Sequence, residues 1–259
     1  MIEVRNLRKS FKDLVAVEDV SFLAQDGEVT GLIGPNGAGK TTTMRILYTI
    51  MQPNSGVALI DGFNASTDPQ EVQSRIGVLP DNRGLYPRLT AREHVRYYGR
   101  LHGMDRDELE RIIDELVETL GMSAEADRRT KGFSKGQTLK IALARALVHK
   151  PHNVILDEPT NGLDVASSRA VRDLVRRIRD EGRCVLFSSH IMSEVQALCD
   201  RIIVMGYGRI VAEGTPDDLA TMTGQADLEE IFVAIAKEEA EMKKRNQLEA
   251  LKGEVGDVE

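Results

Sequence analysis

Apolar and β-branched residues recur from Ile2 to Leu7 and from Val15 to Leu23 in the alternating pattern of antiparallel strands. Val29, Leu32 and Ile33 then read as a buried strand, and Thr42 to Leu47 as a helix leaving the turn that follows it. Gly56 to Gly62 predicts a strand and turn, and Ile76 to Leu79 a second buried strand. From about Thr90 the period changes. Leu109, Ile112, Ile113, Leu116, Val117 and Leu120 recur at three- and four-residue spacing with charged residues between them, so an inserted helical lobe is expected over about 85–150.

Beyond Lys150-Pro151 the sheet pattern resumes with Val154 to Leu156, a helix through Val171 to Ile178, and Cys184 to Phe187. Continuous apolar strands alternating with helices specify a parallel sheet covered on both faces. Arg201 to Ile210, interrupted by Gly206-Tyr207-Gly208, reads as a hairpin. The fold class is therefore α/β, with a mostly parallel core sheet, an N-terminal antiparallel β-subdomain and an inserted helical subdomain, all within 1–225. Residues 226–259 are expected to hold a short amphipathic helix on Leu228, Ile231, Phe232 and Ile235, then a solvated charged tail in which Lys243-Lys244-Arg245 is a mixed-charge face.

The turn after the third strand carries the chemistry. Gly34-Pro35-Asn36-Gly37-Ala38-Gly39-Lys40-Thr41 meets every fixed position of G-x-x-x-x-G-K-[ST], the phosphate-binding loop, between a strand and a helix as that loop requires. Glycines let the backbone approach an anion, so N–H groups from Asn36 through Thr42 can face phosphates. Lys40 supplies a cation and the Thr41 hydroxyl a ligand for Mg²⁺. Downstream, a buried strand ends in Asp157-Glu158, at the edge of a parallel sheet where ligands gather. Strand alternation sends neighbouring residues to opposite sides, which predicts separate tasks: Asp157 for Mg²⁺, Glu158 for the water attacking a γ-phosphate.

Composition narrows the field. Thirty-four basic against 41 acidic residues give a formal charge of −7, which argues against a protein that coats nucleic acid. Two cysteines without C-x-x-C spacing read as packing residues of a reduced compartment, and no secretion signal or spanning segment is expected.

Several linked motifs make the chain resemble the nucleotide-binding subunit of an ATP-binding cassette (ABC) transporter, from the first strands to about Gly214. Phe133-Ser134-Lys135-Gly136-Gln137 stands at that family's signature sequence, at the start of a helix running to about Val148. Asn161-Gly162-Leu163-Asp164 matches the D-loop, His190 the switch histidine, and Phe11 the aromatic residue that stacks on adenine. The resemblance implies a P-loop NTPase of the ABC type that binds ATP and Mg²⁺. Catalysis then falls to Lys40, Glu158 and His190, and metal binding to Thr41, Asp157 and Asp81. Ser134, Gly136, Gln137 and Asp164 face the nucleotide held by a second cassette, so a homodimer is implied. Ser134 is also a good N-cap, and an isolated Phe is as readily core as ligand. The other histidines, His94, His102, His149 and His152, have no such placement, and His149 and His152 read as surface residues beside a Pro turn.

Three positions depart from the family pattern. Asp81 stands after Ile76 to Pro80 where the Q-loop carries Gln, and in the signature Lys135 stands where Gly is usual and Phe133 where the family has Leu. With Asn82 to Glu93 they are most similar to the sodium- and drug-exporting branch, whose ATPases pair with a separate membrane permease. The expectation is ATP-driven export from the cytoplasmic face of the membrane, contacting lipid only through the permease. The alternative is a soluble ABC-type ATPase acting on nucleic acid or ribosomes.

Overall fold

The computed structural model describes residues 1–81 and 84–225, together with 230, 233 and 234. The expected helix on Leu228 to Ile235 and the tail beyond it lie outside the described residues, apart from those few positions.

The chain opens with β1 (Ile2–Phe11) paired antiparallel to β2 (Leu14–Ala24), then enters β3 (Val29–Ile33), buried at all five positions. After α1 (Lys40–Leu47), β4 (Ser55–Ile60) returns to the far side of β1 and pairs with the two-residue β5 (Phe63–Asn64). These strands form a sheet in the order β2-β1-β4-β5, the expected antiparallel subdomain. Then α2 (Pro69–Arg75) leads into β6 (Ile76–Leu79).

Between β6 and the next strand the lobe forms from α3 (Ala91–Leu101), α4 (Arg106–Thr119) and α5 (Lys135–Leu147). Each helix starts where the sequence supplies a cap. Thr90 and Glu93 form a reciprocal capping box at α3, Asp105 accepts two N–H groups at α4, and Ser134 and Gln137 repeat the box at α5.

The chain then completes the second sheet through β7 (Asn153–Asp157), α6 (Val165–Asp180), β8 (Cys184–Ser189), α7 (Met192–Leu198), β9 (Arg201–Gly206), β10 (Arg209–Gly214) and α8 (Pro216–Thr223). Its strand order is β10-β9-β3-β8-β7-β6, parallel except for the β9-β10 hairpin. The short helices α2, α7 and α8 carry too few apolar positions to stand out in the sequence.

Two cores lie on the two faces of this sheet. Neighbouring strand residues divide between them: Ile33, Leu156 and Phe187 pack under α5 and α6, while Leu32, Ile155 and Leu186 pack against α1 and the antiparallel sheet. Burying one such side chain stabilises the fold by roughly 1.5–3 kcal/mol. Helix α5 is apolar on two sides for a reason. Leu139, Ala142 and Leu143 join the sheet core, whereas Ile141, Ala144 and Val148 join the core of the lobe, so this helix ties lobe to sheet. Both cysteines are buried and unpaired, and burial pushes the Cys184 thiol up to about 12, consistent with packing residues.

The structure corrects one histidine. His149 is half-buried, not superficial: its ring stacks on His102 at 3.6 Å between centroids and 6° between planes, and its Nε2 contacts the Ile76 carbonyl oxygen at 2.9 Å. Burial, then the neighbouring His102, bring its pKa down to about 4. His94 is a core residue of the lobe, with Nδ1 2.8 Å from the Thr90 carbonyl and Nε2 accepting from the Tyr86 N–H at 2.8 Å.

Candidate functional site

Loop geometry explains the glycine spacing. Gly39 has φ +102°, and a Cβ there would lie 2.5 Å from the Ala16 carbonyl oxygen, so any side chain would collide with β2. Gly39 leads directly into α1 without a side-chain cap, and no acidic residue lies in the first turn. The free N–H groups and the positive helix end are therefore open to an anion. Lys40 is buried and donates to the carbonyl oxygens of Gly34 at 2.6 Å and Pro35 at 3.1 Å. Desolvation lowers its pKa, and the charges of Glu158 and Asp157 oppose that shift.

The loop forms one side of a cavity of about 680 Å³. Asn36 to Thr42 line it together with Phe11, Asp81, Asp157, Glu158 and His190. Residues from five separate segments are thus gathered at the carboxyl ends of β3, β7, β6 and β8, with the β1-β2 turn at the mouth. Phe11 is 43 % exposed and is not a core residue; Leu14 and Val15 line the cavity beside it. An exposed ring next to apolar side chains at the cavity mouth suits a stacked base.

Asp157 closes β7 almost fully buried. Ser188 donates to its Oδ1 at 2.6 Å, while Oδ2 is buried with no hydrogen-bond partner among the described residues. Burial raises its pKa, the charge of Asp81 adds to that, and the Ser188 hydrogen bond and Lys40 oppose it. A buried carboxylate oxygen without a proton donor, at a cavity that Thr41 also lines, fits a hard cation such as Mg²⁺, which takes oxygen ligands.

Strand alternation does not separate the two acids as expected. Glu158 lies beyond the end of β7 with φ +49°, in the left-handed region, and this turns its side chain into the same cavity as Asp157. Its N–H donates to Ser188 Oγ at 3.0 Å, so one hydroxyl holds both consecutive acids. His190 Nδ1 lies 2.8 Å from Glu158 Oε2. Asn161, the first residue of the D-loop match, also lines the cavity; Ser188 was not singled out by the motifs, and its only sequence signal is its place in the strand that ends before His190.

The remaining expected residues are not brought into this cavity. Ser134 and Gln137 bond each other in the α5 capping box, and Gln137 Nε2 donates to Glu125 at 3.1 Å. Asp164 caps α6, accepting from the Ser167 N–H at 2.8 Å, and that hydrogen bond holds its carboxyl below the usual range. Gly136 sits where a Cβ would approach Ser167 Oγ at 3.2 Å, so the starts of α5 and α6 lie side by side.

Known proteins agree with this geometry. The ABC transporter family profile matches residues 17–161. The ABC transporter ATP-binding protein NatA of Bacillus subtilis is 43% identical over 239 residues, covering 90% of this chain and 97% of that protein. The solved ATP-binding subunit of an ABC transporter superposes with a TM-score of 0.86 at 30% identity, over 91% of this chain and 99% of that one. A dimeric ATP-binding cassette in a post-hydrolysis state with ADP and Pi gives a TM-score of 0.76 at 25% identity, over 83% of this chain and 98% of that one. With the phosphate loop, Asp157, Glu158 and His190 around one cavity, the chain belongs to the ABC transporter family, as an ATP-binding and ATP-hydrolysing subunit.

Proposed function

We propose that this chain is the motor of an exporter, in which two cassettes close around two nucleotides and a separate permease carries the cargo. The convergence of Lys40, Asp157, Glu158 and His190 on one cavity is the observation that carries this reading. Lys40 and the N-terminus of α1 hold the β- and γ-phosphates, and Phe11 stacks on the base. Thr41 and Asp157, with Asp81 alongside, hold Mg²⁺, which when bound neutralises phosphate charge and polarises the bond to be broken. The Glu158 carboxylate orients a water and takes its proton as the oxygen attacks the γ-phosphorus and ADP leaves. His190 fixes Glu158 through Nδ1 and reaches the γ-phosphate region with the rest of its ring. Ser134, Gly136 and Asp164 act on the nucleotide of the opposite copy; two adjacent helix N-termini, α5 and α6, suit an anion brought from outside.

A groove of about 740 Å³ between lobe and core fits the permease. Tyr48, Ile50, Val78, Pro80, Tyr98 and Leu101 line it, and Ile50 and Leu101 are 73 % and 65 % exposed. Pro80 faces this groove while the adjacent Asp81 lines the nucleotide cavity, so the end of β6 touches both. No helix among the described residues is long and apolar enough to cross a membrane. Export, and a place on the cytoplasmic face, follow from the similarity of Asp81, Lys135 and the 82–93 segment to the sodium- and drug-exporting branch. Capture of the chain from detergent-solubilised membranes tests the reading. A polytopic membrane protein that co-purifies, and is lost when Leu101→Arg charges the groove, is the expected result; ribosomes or DNA in its place would overturn it.

A further inference from the structure

A buried carboxylate behind the nucleotide cavity belongs to none of the motifs. Glu194 stands in the first turn of α7, where an acid suits the positive end of the helix and would serve as well from solvent. It is instead 5 % exposed, and it reaches out of its own helix to accept the hydroxyl of Thr160, itself 3 % exposed. Among the described residues it forms no ion pair. Burying a carboxylate has a cost that one neutral hydroxyl offsets only in part, so the helix dipole alone does not account for its place.

The two partners sit in the two turns that carry Glu158 and His190. Thr160 comes two residues after Glu158, in a turn closed by the Asn161 N–H on the Glu158 carbonyl oxygen at 3.3 Å and the Leu163 N–H on that of Thr160 at 3.1 Å. Glu194 comes four residues after His190, and its N–H donates to the Ile191 carbonyl oxygen at 3.0 Å. The Ile191 N–H is held in turn by Ser189 Oγ at 3.0 Å. The turns therefore meet twice: at the cavity, where His190 Nδ1 lies 2.8 Å from Glu158 Oε2, and behind it, where Thr160 meets Glu194. The outer contact is half open to water through His190, whereas the inner one is dry and is the stronger brace.

We propose that Glu194 is a positioning residue for hydrolysis: through Thr160 it locks the β8–α7 turn to the β7–α6 turn and so holds His190 at Glu158. Without the inner contact α7 shifts against the D-loop turn, and imidazole and carboxylate part while the phosphate loop stays in place. The inference rests on the ATPase reading and deepens it, because it assigns the alignment of the water-activating pair to a residue that does not line the nucleotide cavity.

Steady-state phosphate release by the full chain, with kcat and KM for ATP separated, tests this in Thr160→Val, Thr160→Ser and the double variant Thr160→Val/Glu194→Met. Thr160→Val removes the hydroxyl at nearly constant shape; kcat should fall about 10- to 100-fold, the range for a reacting group displaced by up to about 1 Å, with KM within about twofold of the parent. Thr160→Ser returns the hydroxyl and should restore kcat. Valine also leaves a buried carboxylate without its donor and lowers stability, so the double variant separates packing from positioning. With apolar groups of matching shape on both sides the urea midpoint should return close to the parent's, yet kcat should stay down. A double variant that regains kcat together with stability overturns the proposal, as does a serine variant as slow as the valine or a loss confined to KM. Glu158→Gln is assayed beside them. Turnover surviving in that variant would remove Glu158 as the base and the reading on which the inference rests; its loss there, with parent kcat in Thr160→Val, would remove the role of Glu194 alone.

Discussion

The nucleotide cavity and the start of α5 are both built from capped or uncapped helix ends, yet they are finished differently. At α1 the first turn has no side-chain cap and no acid, and everything around it points inward to one cavity. At α5 and α6 the caps Ser134 and Asp164 are engaged with their own helices, and the residues line no part of that cavity. One half of the chemistry is therefore complete within the chain. The other is a pre-capped surface that, on the proposed reading, gains a nucleotide only when a second cassette brings one to it. On that reading the chain binds ATP alone but needs a partner to use its signature.

The comparison breaks most severely at Glu158. Glu158→Gln keeps the shape and the bound nucleotide but removes the base, and turnover should fall by about 10²–10⁴-fold in a steady-state phosphate-release assay. Near-normal hydrolysis would move the base elsewhere. In that slow background Ser134→Arg tests the outward half: bulk and charge at the seam should weaken MgATP-driven pairing by about tenfold or more, read by sizing with and without nucleotide. ATP affinity of the single chain should stay put, and an undiminished dimer would mean that the signature surface does not face a partner.

The smallest effect separates two histidines. His190 is half-exposed against Glu158, whereas His149 is stacked under His102 with its pKa brought down to about 4. The folded chain binds a proton at His149 less readily than the unfolded chain, whose histidine titrates near 6.5. Stability is thus lost as pH falls from about 6.5 towards 4, and is unaffected by this group above that window. His149→Phe keeps a stacked ring without the charge and should recover on the order of 1 kcal/mol at pH 5, after allowance for partial exposure. Urea melts at pH 7.5 and pH 5 check it: the variant should gain only at the lower pH.

What could be read from the sequence was whatever is encoded by neighbours along the chain. The phosphate loop is one uninterrupted string, β3 shows three apolar residues just before it, and β7 and β8 announce themselves as continuous apolar runs, so the parallel sheet and its loaded edge were legible. The lobe was legible too, because α4 repeats its apolar positions over three turns. Contacts between distant segments were not. His149 meets His102 across two helices, Ser188 meets Asp157 and Glu158 across two strands, and no local spacing encodes either. Alternation failed at Asp157-Glu158 because it describes a strand, and the strand stops one residue too soon for the rule to apply.

That early stop has a wider consequence. A glutamate with a backbone twisted to φ +49° is held there against its own preference, by a hydroxyl borrowed from the next strand. Glycine would rest comfortably at this position and would be useless for proton transfer. The fold thus keeps a small, permanent tension at the carboxylate proposed to activate the attacking water.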